Sequence, residues 1–352
     1  MNIMLNDCTL RDGMYLLDKN PAPDFIAAVL HGLQASGIDL FENGFLQEQG
    51  AGESLVYRDA AEAARHLDDP QLSRHITAFC DCSRYHPGLL EPHDGRAFDH
   101  LKLAFARHEA STAFEQAVDY AAKGYKVLFN PMDAPGYSRA ERSTMLRQVN
   151  ELRPFVFSIV DTFGTMRLGE LSDIFAQVDA ELAPGIRVGL HTHNNLQLSC
   201  ALGQTLIELA LPRGREVIID CSLYGMGRGA GNAATEVMAA HVNALCGERI
   251  YDLGLLLDLI SAWVLPLREQ VSWGYDLPHL ICGLLGAHVD NLGCLHRHGI
   301  DDPRTMLQLL ERLSPENRKR YGAGYSKSDF EQLDKIIAQS AEEDGGGSSE
   351  LR

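Results

Sequence analysis

The stretch Ile3-Met4-Leu5-Asn6-Asp7-Cys8-Thr9-Leu10-Arg11-Asp12-Gly13 decides the fold. It begins as an apolar strand over 3–7 and turns polar where that strand ends. An open, doubly wound sheet carries a glycine-rich phosphate turn after its first strand. Here the first strand runs into Thr9-Leu10-Arg11-Asp12, which is not that turn. A closed barrel is therefore the leading reading and the open sheet the runner-up.

Beyond this stretch, short apolar runs alternate with longer amphipathic ones. Strands are predicted over 3–7, 40–45, 76–82, 101–105, 126–132, 155–161, 187–193 and 217–223. Helices are predicted between them over 23–36, 53–66, 111–123, 140–152, 168–182, 196–211 and 233–245. Glycines such as Gly37, Gly124 and Gly185 close helices or precede the next strand. Strands alternating with helices imply parallel pairing through right-handed crossovers. Eight such units match an α/β (β/α)8 TIM barrel, a fold of about 250 residues.

After Cys246 the rhythm changes to helical patterns over 253–267, 279–292, 303–313 and 328–339, without strands. The expected organisation is a barrel domain over 1–246, a helical C-terminal extension over 247–340 and a disordered tail over 341–352.

Composition narrows the function classes. The 352 residues are 45% hydrophobic, and no run is long and apolar enough to span a bilayer. The net charge of −17 argues against nucleic acid and anionic membranes as partners. It leaves room for an anionic small molecule, because a few local cations outweigh the global field. The start of the chain runs straight into a strand, leaving no space for a signal peptide, so a cytoplasmic location is expected. The eight cysteines then read as reduced thiols. The tight pair Cys80-Asp81-Cys82 reads as the end of a buried strand, its spacing being narrower than zinc and redox motifs use.

Active sites of such barrels gather at the C-terminal ends of the strands, and the polar residues fall there. Asp7 and Asp12 follow the first strand, Glu42-Asn43-Gly44 the second, Asn130 the fifth and Asp161-Thr162 the sixth. The seventh ends in His191-Thr192-His193, and the eighth leads into Tyr224 to Asn232, a glycine-rich loop. Alternation along a strand points His191 and His193 the same way. The first and last strands of a closed barrel are neighbours, so Asp12, both histidines and Asn232 can meet. Two imidazoles and a carboxylate with open positions suit a divalent cation. Singly, each residue has a plainer reading: an aspartate after a strand is most often a cap, and a lone histidine is a polar residue. The glycines of the loop read as a turn that brings Asn232 in, or as a phosphate nest. Glu42 reads equally as a bridge between barrel residues and as a substrate contact. Asp7 reads as a structural residue orienting Arg11 or a histidine.

The runs Asp7 to Gly13, His191-Thr192-His193 and Gly227-Arg228-Gly229-Ala230-Gly231-Asn232 resemble the signatures of the DRE-TIM metallolyase superfamily. The Leu-Arg-Asp-Gly-Met run and His191 to Leu196 are most similar to its 4-hydroxy-2-oxovalerate aldolase branch. The resemblance implies that Asp12, His191 and His193, with Asn232 as a fourth ligand, bind Mn²⁺ or Mg²⁺. It implies that Arg11 stabilises an enolate, and that the reaction is metal-dependent aldol cleavage of a 4-hydroxy-2-oxo acid to pyruvate. Asn130, Asp161 and Thr162 join Arg11 as expected substrate contacts. A Claisen-type acyl-CoA lyase or synthase is the alternative on the same scaffold. A homodimer is expected, and an aldehyde dehydrogenase is the partner the branch suggests.

One departure stands out. A histidine implicated in proton transfer follows Arg-Asp-Gly-Met in that branch; here the position is Tyr15. A phenol, with an ordinary pKa of about 10, is a poor base at neutral pH. Tyr15 and, from the extension, Tyr275 are the candidates for moving the proton. Non-haem iron oxygenases also use two histidines and a carboxylate, but the βα rhythm disfavours their antiparallel folds. Amidohydrolase-type barrels carry His-x-His after the first strand, not the seventh.

Overall fold

The computed structural model describes residues 2–50, 55–67, 69–320 and 330–346. Eight parallel strands form the barrel: β1 Ile3–Leu10, β2 Leu40–Leu46, β3 Ile76–Asp81, β4 His100–Phe105, β5 Lys126–Pro131, β6 Val156–Asp161, β7 Arg187–Thr192 and β8 Val217–Cys221. Each pairs with the next, and β1 pairs with both β8 and β2, which closes the sheet. The strands are buried almost throughout, as parallel strands covered on both faces must be. All eight expected strands are present within one to three residues at their ends. A two-residue strand, Val56–Tyr57, adds to β2.

Helices Pro23–Ala35, Ala110–Ala122, Arg139–Leu152, Leu168–Glu181, Ser199–Ala210 and Thr235–Cys246 fill the crossovers. The helix expected over 53–66 is shorter: it spans Ala60–Ala64, because Asp59 caps it by accepting from the Glu62 N–H. Residues 51–54 lie outside the described residues.

Packing divides the chain into two units. The first holds the barrel and runs to Gly274; the second holds Tyr275 onward with the short pieces Phe163–Thr165 and Asn195–Gln197. The boundary expected after Cys246 therefore moves to Gly274. The reason is burial: Leu256, Leu259, Ile260 and Val264 belong to the barrel's own hydrophobic core. The helix predicted over 253–267 carries a π turn at Ile260–Val264, just before Pro266, whose ring cannot continue the regular bonding.

In the second unit, helices Leu277–Leu285, Asp290–Arg297, Pro303–Arg312 and Glu331–Gly346 share a core of Ile281, Leu295, Met306, Leu310 and Leu333. The single helix predicted over 279–292 is broken at Gly286, which caps the first piece in a left-handed conformation. The last helix continues to Gly346, into the segment expected to be a tail; 347–352 lie outside the described residues. All eight cysteines are free, and Cys80 and Cys82 are buried at the end of β3. No helix among the described residues is long and apolar enough to cross a membrane.

Candidate metal centre

Polar side chains cross the barrel interior and set up the site above them. Lys102 on β4 forms ion pairs with Glu42 on β2 and Asp220 on β8. These strands lie on different sides of the barrel, so the three side chains meet within it. Asn6 on β1 donates to Glu42 Oε1 at 2.9 Å and to Asp220 Oδ1 at 2.7 Å. Burial alone would lower the Lys102 pKa, but Asp220 and Glu42 raise it, so the ammonium is fixed. Burial likewise opposes ionisation of Asp220, yet Lys102 and His191 hold it below the usual carboxylate range.

This interior orients the site directly. Glu42 Oε2 accepts from Arg11 Nε at 2.5 Å, and Asp12 Oδ1 accepts from Arg11 Nη1 at 2.6 Å. Glu42 is thus a bridge between barrel residues. His191 Nδ1 lies 3.0 Å from Asp220 Oδ2, which leaves Nε2 available as a donor atom. Asp7, the expected orienting residue, does neither job. It accepts from the Thr9 N–H at 2.9 Å and the Thr235 hydroxyl at 2.5 Å, joining β1 to the helix after β8. Burial lifts its pKa to about 6 against those bonds.

The turn after β1 folds back so that the Arg11 and Asp12 amides both bond the Cys8 carbonyl. That places Asp12 beside the end of β7. Asp12, His191 and His193 each offer a ligand atom within 4.8 Å of the others. The two imidazoles stand edge to face with centroids 5.1 Å apart. Burial would raise the Asp12 carboxyl, but Arg11, His193 and His191 hold it well below the usual range. Burial pushes His193 down to about 4, so it is a neutral imidazole at physiological pH.

The glycine-rich loop completes the arrangement. Asn194 N–H bonds the Gly231 carbonyl at 2.8 Å, tying the histidine stretch to the loop. Asn232 Nδ2 donates to Asp12 Oδ2 at 2.9 Å. The approach depends on Gly227: a Cβ there would stand 2.1 Å from Asn232 Nδ2 and 2.6 Å from Asp12 Oδ2. Asn232 Oδ1 is buried without a hydrogen-bond partner among the described residues. A neutral imidazole, an ionised carboxylate and an orphaned amide oxygen are the donor set a hard or borderline divalent cation takes. The residues present therefore fit such an ion.

The other expected residues are placed as follows. Tyr15 is half-buried and packs edge-on against Phe45 at 5.2 Å. Burial raises its pKa more than Arg228, Arg11 and Arg84 lower it, so the phenol is protonated at neutral pH. Asn130 is buried at the end of β5 with Oδ1 lacking a partner. Asp161 and Thr162 hold loops together: Asp161 accepts from the Met166 N–H at 3.0 Å and Thr162 Oγ1 from the Asp133 N–H at 2.8 Å. Tyr275 opens the second unit and is 58% exposed. Asp220 and Lys102 are the residues that sequence reasoning passed over. Their mark was available: a charge inside an otherwise apolar strand, Val217-Ile218-Ile219-Asp220 and Leu101-Lys102-Leu103.

The structure is thus a closed βα barrel with Asp12, His191 and His193 gathered at its C-terminal rim and Arg11 beside the aspartate. The HMGL-like family model matches residues 95–262; the chain resembles that family over this stretch and is an enzyme of the lyase type. It is 28% identical over 280 residues to the 4-hydroxy-2-oxovalerate aldolase of Pseudoalteromonas translucida, covering 76% of this chain and 77% of the relative. It is 29% identical over 281 residues to the enzyme of the same name from Stutzerimonas stutzeri, with the same coverage. Its fold is similar to that of the HMG-CoA lyase of Brucella melitensis, with a TM-score of 0.59 and 16% identity over 76% of this chain and 98% of that one.

Proposed function

We propose that the protein is a divalent-metal-dependent aldolase that cleaves a 4-hydroxy-2-oxo acid to pyruvate and an aldehyde, or joins the two. The observation that carries this reading is the buried Asp12–His191–His193 cluster with the Arg11 guanidinium fixed beside it. The name shared by the relatives supports the same reaction. Asp12, His191, His193 and Asn232 would hold Mn²⁺ or Mg²⁺, which when bound supplies Lewis-acid polarisation of a 2-oxo carboxylate.

Arg11 takes the negative charge that develops on the pyruvate oxygen as the carbon–carbon bond breaks. Its two ion pairs fix the guanidinium before the charge appears, which is what makes such stabilisation effective. Arginine is charged at every working pH and is no base. Tyr15, protonated at neutral pH, is assigned to the addition direction, where it passes its proton to the aldehyde oxygen. Arg228, Arg11 and Arg84 lower the cost of the phenolate left behind. Asn130 Oδ1 offers an acceptor to a substrate hydroxyl.

The substrate is a small 2-oxo acid; a homodimer and an aldehyde dehydrogenase partner belong to the same reading. The test is a screen of 4-hydroxy-2-oxo acids with Mn²⁺, following pyruvate, beside a screen of acyl-CoA thioesters following free CoA. Pyruvate release that stops on chelation supports the aldolase. CoA release alone replaces it with the Claisen-type reading.

A further inference from the structure

Cationic side chains gather around Tyr15. Lys19 Nζ lies 5.5 Å from the centre of the Tyr15 ring and 4.5 Å from that of Phe45. Arg228 Cζ lies 5.1 Å from the Tyr15 ring on its own approach. Arg84, half-buried in the turn after β3, is close enough to act electrostatically on both Lys19 and Tyr15. The only carboxylate shown to act on Lys19 is Asp81, which also faces Arg84 at 3.6 Å. Lys19 itself forms no ion pair among the described residues. Burial and the two arginines disfavour its charge.

The backbone shows that Lys19 is held there. Asp18 and Lys19 are consecutive left-handed residues, with φ of 49° and 61°. Non-glycine residues held in this region are strained, and such strain collects at ligand clamps. Hydrogen bonds pin it on both sides: the Lys19 N–H donates to the Met14 carbonyl at 2.8 Å, and the Lys19 carbonyl accepts from the Leu55 N–H at 2.9 Å. A half-buried lysine on strained, doubly pinned backbone, with no ion pair among the described residues, has its charge placed for an anion.

We propose that Lys19, Arg84 and Arg228 form a pocket for a second anionic group on the substrate, so that the aldehyde partner of pyruvate carries a carboxylate or phosphate. The proposal rests on the aldolase reading and specifies its substrate. In the addition direction C3 of pyruvate loses a proton and bonds to the aldehyde carbon, whose oxygen gains a proton. Nothing is oxidised or reduced. The distal anion stays intact and serves only to position the aldehyde over Tyr15.

Two measurements test this. Inorganic phosphate is titrated calorimetrically into the Mn²⁺-loaded protein and its Lys19→Met and Arg84→Gln variants. Charge-assisted bonds of this kind predict an affinity at least about tenfold weaker in each variant. Equal affinity in all three proteins overturns the pocket, whatever the aldol assay gives. In parallel, pyruvate addition is followed with succinic semialdehyde, glyceraldehyde 3-phosphate and propanal. One charged aldehyde is expected to exceed propanal in kcat/KM by at least about tenfold, with that ratio falling in Lys19→Met. The preferred charged aldehyde tells carboxylate from phosphate. Preference for propanal overturns the proposal. Phosphate binding lost in the variants, without pyruvate consumption on any aldehyde, supports the pocket and fails the aldolase reading.

Discussion

Lys102 and Lys19 both belong to the barrel unit, and they are held in opposite ways. Lys102 lies fully buried in the interior between two carboxylates, with Asn6 satisfying both of those carboxylates in turn. Lys19 lies at the C-terminal rim against two aromatic rings, near two arginines. A buried charge that is matched locks geometry; one left unmatched at an opening waits for a ligand. The interior is thus scaffold for Arg11 and His191, and the rim is where substrate selection resides.

Asp12 joins the two regions, taking Arg11 from the interior side and the Arg228 N–H from the rim loop. Asp12→Asn is expected to have the largest effect, reducing turnover to background and abolishing retention of Mn²⁺ on dialysis, as read by pyruvate release and metal analysis. Full activity after thorough chelation would remove the metal from the reading.

Lys102→Met tests the interior alone. It leaves Glu42 and Asp220 buried without their cation, and about 3–5 kcal/mol of stability should be lost in urea denaturation. A loss below about 1 kcal/mol would mean that the network is not scaffold.

His100, at the start of β4 and two residues before Lys102, provides a pH test. Burial lowers its pKa from 6.5 to about 3. The unfolded chain therefore binds the proton first as pH falls. Stability is full above about pH 6.5 and declines toward about pH 3. At about pH 5 the cost is roughly 2 kcal/mol, and His100→Gln should remove it. Urea midpoints of the two proteins at about pH 7 and pH 5 check this, and parallel shifts would refute it.

Arg11→Lys keeps the charge and loses the planar fork that meets Glu42 and Asp12 together. Turnover should fall about a hundredfold while Mn²⁺ affinity changes far less. Equal losses in both would argue for a purely structural arginine.

The barrel and the Asp12–His191–His193 cluster were legible in the sequence because both are built from local signals. A strand's apolar run, a His-x-His pair and an aspartate after a turn can each be read within a few residues. The βα rhythm then brings the pieces together, since closure makes β1 and β8 neighbours. The interior network was not legible in this way. Lys102 is 118 residues from Asp220 and 60 from Glu42 in sequence, and only the closed barrel makes them partners. The carboxylate beside His191 is accordingly Asp220, inside an apolar strand, rather than Asp7 in the polar run that opens the chain. The break at Gly286 was hidden for a different reason, because apolar residues continue on both sides of it.

The placement of Lys102 also decides a chemical question. A lysine inside the barrel of an aldolase-like enzyme invites comparison with aldolases that work through a Schiff base. That chemistry needs a free amine with a lone pair to add to a ketone. Here the nitrogen is protonated, its pKa raised by Asp220 and Glu42 against burial, and both carboxylates occupy it. Lys102, the one fully buried lysine among the described residues, is therefore closed to imine formation, and pyruvate with borohydride should leave the mass of the protein unchanged at that position.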